Sequence, residues 1–216
     1  MEISKAEELY NRSKSRTGYK GIYQLQVKRM IDLILSILIL PFALMIMIPI
    51  AIAVKLSDGG PIIYRSKRLG IGFKVFDMFK FRSMKVGAPD IRNADGSTFN
   101  AEDDERVTKV GRFLRETSLD EIPQLFNIIK GDMSIIGPRA GDVESKDTYL
   151  DDEKDKLLIK PGVSGFSQAY YRNSIGVREK RLLDAAYAHN VSFWLDIRIF
   201  IHTVLIVLRR KNIYTN

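Results

Sequence analysis

The chain has 216 residues, enough for one domain with a real core and an appended element, and too few for a second catalytic domain. It contains no cysteine, which excludes disulfides and thiolate metal sites, and its two histidines, His189 and His202, lie too far apart in sequence to suggest a zinc centre. The formal charge of +8 points to an anionic partner: nucleic acid, acidic lipid headgroups or a phosphorylated substrate.

Residues 1–20 are polar and charged and read as a loose or surface helix at a membrane. Residues 30–54, "MIDLILSILILPFALMIMIPIAIAV", are almost wholly apolar. At about 1.5 Å per residue, a helix of this length could cross a ~30 Å hydrocarbon core. Three features favour a bent, re-entrant hairpin over a plain crossing. Asp32 sits one turn into the run, where a carboxylate on lipid is costly, so it is expected at the interface or paired. Pro41 and Pro49 each remove a backbone donor and crowd the carbonyl four residues earlier. Cations flank the run on both sides, from Arg12, Lys14, Arg16, Lys20, Lys28 and Arg29 to Lys55, Arg65, Lys67, Arg68 and Lys74, whereas a crossing helix has its excess on the cytoplasmic side. The run is too long and begins too late for a signal peptide. A buried core helix of a soluble protein is the competing reading.

Residues 61–82 read as two short β-rich pieces around the Gly70-Ile71-Gly72 turn, with Lys80 and Arg82 on one face of the second. Residues 87–105, rich in Gly, Asp, Asn and Ser, read as a mobile loop. Short helices are expected at Thr108–Glu116 and Ile122–Lys130, the latter ended by Gly131. Residues 142–156 form an acidic, polar stretch that reads as a solvated face, and "KPGVSGFSQ" supplies a glycine-rich turn after Lys160. The stretch 193–211 is a strong helix pattern whose Trp194 and terminal Arg209, Arg210 and Lys211 suit a membrane interface; a core helix is the alternative.

The segment "SLDEIPQL" places Asp120 and Glu121 just before Pro123 and an apolar run. Ser118 followed three residues later by Glu121 fits a capping box, and on the local pattern alone a plain helix cap is the more economical reading. A helix start also offers free N–H groups to phosphate, and a carboxylate there can hold a divalent cation or attack phosphorus. Arg115 and Arg139, the latter in "GPRAG", could neutralise phosphate oxygens.

Taken together and in order, "KRMID", "KFRSM", "LRETSLDEIPQLFNIIKGDMSIIGPR", "KPGVSGFSQ" and "YYRN" resemble the bacterial sugar transferases, the monotopic phosphoglycosyl transferases that start lipid-linked glycan assembly. The resemblance covers about residues 27–212. It implies transfer of a phospho-sugar from a UDP-sugar to undecaprenyl phosphate, giving sugar-diphospho-undecaprenol and UMP, with Mg²⁺ as cofactor. By matching position it makes Asp120 the nucleophile of an aspartyl-phosphosugar intermediate and Glu121 its partner in an acidic dyad, the two being the candidate metal ligands. Lys80, Arg82, Arg115 and Arg139 become candidate phosphate contacts, and Arg172 and Asn173 are placed near the site.

The resemblance further implies a mixed α/β, helix-dominated fold. Residues 1–27 would be an interfacial segment, 28–55 a re-entrant membrane hairpin, and 56–216 a small catalytic domain ending in an interfacial helix. The location implied is the cytoplasmic face of the bacterial inner membrane, with anionic membrane lipid as a partner, no nucleic acid, and compatibility with a homodimer. The chain resembles the minimal form, without the extra N-terminal membrane helices of longer relatives. It departs from the family pattern where a Ser-Pro pair would fall, near Leu44-Met45, at Ala140 in place of a proline, and at Tyr170 and Tyr171 before the Arg-Asn pair. A non-catalytic membrane adaptor is the rival from another class.

Overall fold

The computed structural model describes residues 3–14, 21–93, 99 and 101–209. The flanking cations Arg16, Lys20, Arg210 and Lys211, and residues 94–98 of the polar loop, lie outside the described residues.

Helix α1 spans Ile3–Lys14. A π-helical turn at Tyr23–Val27 leads into α2, Lys28–Asp58, a single helical element that runs through Pro41 and Pro49 and stops at Gly59 in the left-handed region. The hairpin of β1, Ile63–Leu69, and β2, Val75–Phe81, follows. Next come α3, Lys109–Thr117, a 3₁₀ turn at Leu119–Glu121, and α4, Gln124–Lys130, closed by Gly131. Strands β3, Ser134–Ile136, and β4, Gly141–Asp142, precede two 3₁₀ segments at Val143–Thr148 and Lys154–Leu158. Strand β5, Gly162–Ser164, and helices α5, Phe166–Tyr170, α6, Val177–His189, and α7, Phe193–Leu208, complete the chain. The fold is helix-dominated mixed α/β, with an antiparallel sheet in the order β2-β1-β4 and a parallel pair β3-β5.

The hairpin is covered on both faces. Its register pairs Tyr64 with Lys80, Ser66 with Met78 and Arg68 with Phe76, so these side chains share one face, and Phe81 points to the other. Phe81 packs with Ile50 and Val54 of α2 and Leu114 of α3. Met78 packs with Ile128, Met133 and Ala140. The free edge of β2 is closed by a side chain: Asn127, fully buried in α4, accepts from Phe79 N at 2.9 Å and donates to Asp77 O at 2.7 Å.

Both ends of α2 are tied to this body. At the start, Arg29 donates to the carbonyls of Ile128 and Ile129 at the C-terminus of α4, at 2.6 and 3.0 Å. Asp32 is buried and accepts from Ser134 Oγ at 2.7 Å and Ile135 N at 3.0 Å, so the carboxylate in the apolar run is satisfied by β3. Lys28 and the Tyr23 hydroxyl reach Asp196 of α7, which also accepts from Tyr187. At the far end the carboxylate of Asp58 is gripped by Arg82. Between these anchors α2 buries Ser36, Ala43, Ile50 and Val54 and leaves the rest of its apolar surface open, with Phe42 and Met45 near 70% exposed. That exposure disposes of the soluble-core reading, because a contiguous apolar surface of this size needs a nonaqueous neighbour. Helix α7 exposes Trp194, Ile197, Ile201, Val204, Leu205 and Leu208 while burying Ile199 and Asp196.

Two expectations are corrected. Helix α1 docks on α6 through Ala6 and Tyr10 against Leu182, Leu183 and Ala185, with Arg178 bridging to Glu7. The i, i+4 pair Ala6/Tyr10 gives an otherwise polar segment one apolar stripe. The acidic stretch after residue 142 is likewise folded in: Glu153 is buried between Arg178 and Arg181, and Asp155 accepts from the Tyr10 hydroxyl and pairs with His189.

Replacing Asn127 by Ala removes two buried backbone partners at once. The expected loss is about 2–4 kcal/mol of stability, read as a lowered denaturation midpoint in detergent, while an unchanged midpoint would mean that α4 is not held through this amide.

Candidate active site

The dyad is presented by a turn that breaks between two helices. Thr108 caps α3 by accepting from Gly111 N at 2.9 Å. At its other end Ser118 adopts the left-handed region, φ 57°, and its N–H closes onto Arg115 O. The capping box does not form. Ser118 makes no side-chain cap, and its hydroxyl instead accepts from Arg172 Nη2 at 3.4 Å. Glu121 turns to Lys80 at 2.6 Å and to Gln124. Arg172 is itself left-handed, φ 47°, so two of the three non-glycine residues with positive φ among those described meet beside the dyad. Backbone strain of about 1–3 kcal/mol per residue persists where the surroundings hold it, and such sites cluster around function.

Glu121 lines a cleft with Arg68, Met78, Lys80, Gln124, Arg139, Ala140, Gly162 and Val163, and Asp120 lies buried directly before it in the chain. Lys80 arrives from β2, and Arg139 follows β3, its N–H held at 3.0 Å by the buried carboxylate of Asp184. Arg115 donates through Nε to Ser83 Oγ at 2.9 Å and lies close enough to Asp120 to stabilise its charge. Arg172 shares the field of Glu121 and Arg139. Asn173 follows it in the turn after α5. Arg82 does not join this group. Its guanidinium is spent on Asp58, with Nε donating to Pro61 O at 2.6 Å and Nη1 to Met84 O at 3.4 Å, because the turn after α2 folds Asp58 back over the end of β2.

Environment separates the two carboxyls. Burial pushes Asp120 up to about 6 and Glu121 adds to the rise, against the opposing charges of Lys80, Arg115 and Arg139. Burial acts on Glu121 in the same direction, but Lys80 and Arg139, with hydrogen bonds from Lys80 and Gln124, outweigh it and hold Glu121 below the usual range. A buried, raised carboxylate beside a lowered one is the pattern of a group poised for chemistry next to one that stays charged.

The residues that the motif reading missed are Arg68, Gln124 and Asp184. Arg68 shares a sheet face with Lys80 through the β1/β2 register, which no single strand reveals. Gln124 falls one turn after Asp120 and Glu121 and was legible as a neighbour of the dyad.

Paired carboxylates with Lys80, Arg115, Arg139 and Arg172 around them, on a body clamped to a long exposed apolar helix, make a site suited to an anionic ligand. The chain belongs to the bacterial sugar transferase family, whose family model matches residues 23–210. It is 39% identical over 199 residues to the undecaprenyl-phosphate galactose phosphotransferase of Salmonella typhimurium, covering 87% of this chain and 42% of that protein. It is 40% identical over 196 residues to the UDP-glucose:undecaprenyl-phosphate glucose-1-phosphate transferase of Escherichia coli, covering 87% and 41%. An uncharacterized sugar transferase of Bacillus subtilis is 36% identical over 187 residues, covering 87% of this chain and 90% of the relative. The chain thus spans about two fifths of the longer relatives and nearly all of the shorter one.

The raised carboxyl of Asp120 carries a stability cost with a defined sign. Its folded value lies above the unfolded one, so the native state is favoured below about pH 4 and that benefit is lost as pH rises through about 6. Asp120→Asn is therefore expected to stabilise the protein by on the order of 2 kcal/mol above pH 6 and by little below pH 4. Melting temperatures of both forms across that range check it, and a pH-independent difference would contradict it.

Proposed function

We propose that this protein transfers a phospho-sugar from a UDP-sugar to undecaprenyl phosphate through a covalent intermediate on Asp120. The observation that carries the reading is the dyad itself: a buried Asp120 whose charge is costly, next to a Glu121 fixed by Lys80. A carboxylate held short of its stabilising partners is a better nucleophile than one saturated by them.

In the first step an oxygen of Asp120 attacks the phosphorus that bears the sugar. An aspartyl-phosphosugar forms, the phosphoanhydride bond breaks, and its electron pair leaves on the UMP oxygen. In the second, a phosphate oxygen of undecaprenyl phosphate attacks the same phosphorus and Asp120 departs as carboxylate. One site thus serves two anionic substrates in turn, without gathering all their charge at once. Lys80, Arg115 and Arg139 contact phosphate oxygens, where preorganised cations stabilise the charge that develops. Lys80 exchanges part of its bond to Glu121 for the incoming phosphate, and Arg172, held over Ser118, keeps the turn in place. Arg82 contributes by fixing α2 to the strand that carries Lys80.

Asp120 and Glu121 offer two hard oxygen donors, and among the described residues no group of three or more His, Cys, Asp or Glu gathers. That set fits Mg²⁺, which takes one or two protein carboxylates and completes its shell with substrate phosphates and water. Asp120 and Glu121 would hold it, and it would supply charge neutralisation to the diphosphate and the leaving UMP.

The same proposal makes α2 a re-entrant element that sets the cleft at the headgroup plane of the bacterial inner membrane, on its cytoplasmic face. A straight helix would hold Arg29 and Asp58 about 44 Å apart. Yet Arg29 is bonded to Ile128, whose neighbour Asn127 is bonded to Phe79, and Asp58 is held by Arg82, only about 10 Å of strand further on. Pro41 and Pro49 lie inside α2, and proline within a helix favours a bend. The apolar face of α7 would lie in the same interface, against anionic lipid.

The test is UMP release from a panel of UDP-sugars with Mg²⁺ and undecaprenyl phosphate. With Mg²⁺ beside it Asp120 would ionise below its metal-free value of about 6, so kcat/KM is expected to be level from about pH 6 upward. Asp120→Asn is expected to lose at least about 10³-fold; UMP release that survives this change sinks the covalent mechanism on Asp120, and no UMP release from the wild type with any UDP-sugar favours the non-catalytic adaptor. Reporters on the two termini are expected on the same side of the membrane, and opposite-side readings would overturn the re-entrant helix.

A further inference from the structure

We infer that Arg68 is a further cationic ligand for the diphosphate of the nucleotide sugar, and that Asp142 occupies its guanidinium until that diphosphate arrives. The inference rests on the proposed transferase activity and assigns new residues to its site.

Arg68 lies in the wall of the same cleft as Lys80, Glu121 and Arg139. The β1/β2 register puts it on the Lys80 face of the sheet, separated along that face by the Ser66/Met78 pair, and its Nε is steadied by Ser66 Oγ at 3.0 Å. The guanidinium is mostly shielded, with 18% of the side chain exposed, and burial, Arg139 and Arg92 all disfavour its charge while Asp142 favours it. Arg68 and Arg139 line the cleft together and Arg139 disfavours the charge on Arg68, a repulsion between two partly desolvated guanidiniums that an anion between them would relieve. A diphosphate entering the cleft supplies that charge in the planar, bidentate form that arginine binds best.

Asp142 is placed to yield. It forms the ion pair with Arg68 and also faces Arg92 Nη1 at 3.3 Å. Arg92 has a second carboxylate, Asp90, at 2.8 Å. If Arg68 turns to a phosphate, Asp142 retains Arg92 and no buried charge is stranded. Arg68 therefore exchanges one anion for another, and Asp142 sets the strength that an incoming diphosphate must exceed.

The plain alternative is that Arg68 and Asp142, which are backbone partners between β1 and β4, form only a cross-strand bridge that holds the sheet. The two readings differ in sign. UDP binding is measured on the full chain in lipid nanodiscs with Mg²⁺, with uridine as the phosphate-free control and Arg139→Gln as the reference variant. Arg68→Gln is expected to weaken UDP roughly tenfold or more, the size of a lost charge-assisted contact. Asp142→Asn is expected to tighten UDP several-fold, with uridine affected by neither. Both variants weakening UDP together, or neither changing it, overturns the inference, and melting temperatures taken alongside separate this from unfolding. If Arg139→Gln loses UDP while Arg68→Gln keeps it, the inference falls and the proposed function stands. A wild type that does not bind UDP at all overturns both.

Discussion

The buried amide of Asn127 is the contact on which the site's geometry depends. By pairing with both Asp77 O and Phe79 N it behaves as a short extra strand along the free edge of β2. It therefore fixes α4, and the turn that precedes α4, at a set distance from the strand carrying Lys80. The 2.6 Å bond between Lys80 and Glu121 follows from that docking. The burial of Asp120 has a second support, since Leu119 and Ile122 of its turn pack into the apolar cluster of Phe81, Ile50, Val54 and Leu114. An aliphatic residue of similar size could fill the space but could not meet one donor and one acceptor of an open strand edge.

The long apolar helix α2 and the site are mechanically one unit. Asp32, Arg29 and Lys28 tie its start to β3, α4 and α7, while Asp58 ties its end to Arg82, two residues after Lys80. Each is a charged group placed where an apolar segment meets a polar body, and each is satisfied by hydrogen bonds that an exposed salt bridge would not retain. In the proposed re-entrant arrangement these ties set the depth of the cleft relative to the lipid, so that a polyprenyl phosphate and a soluble nucleotide sugar could reach the same carboxylate.

The sequence made local features legible wherever one residue determines one geometry. Gly131 stops α4, Thr108 starts α3, and the Gly70–Gly72 turn joins two strands. Long-range pairing was not legible. Arg82 shares an alternating face with Lys80 and looked equivalent to it, but the fold brings Asp58 over Arg82, and of the two only Lys80 pairs with Glu121. Ser118 and Glu121 have the spacing of a capping box, yet Lys80 offers Glu121 a full charge, which exceeds a backbone N–H as a partner. Acidic residues 152, 153 and 155 look solvated until Arg178, Arg181 and Tyr10, distant in sequence, are folded against them.

The central claim is that Asp120 carries the sugar phosphate. Its buried, raised carboxyl is a cost that the fold bears next to a Glu121 that it stabilises, and a covalent role explains the asymmetry. Intact mass of the purified protein, mixed with Mg²⁺ and UDP-sugars without any polyprenyl phosphate, tests this most directly. The account predicts an adduct of phosphosugar mass on the wild type, absent from Asp120→Asn and discharged when undecaprenyl phosphate is added. Turnover of a UDP-sugar with no such adduct at any time, or an adduct that persists in Asp120→Asn, would contradict it.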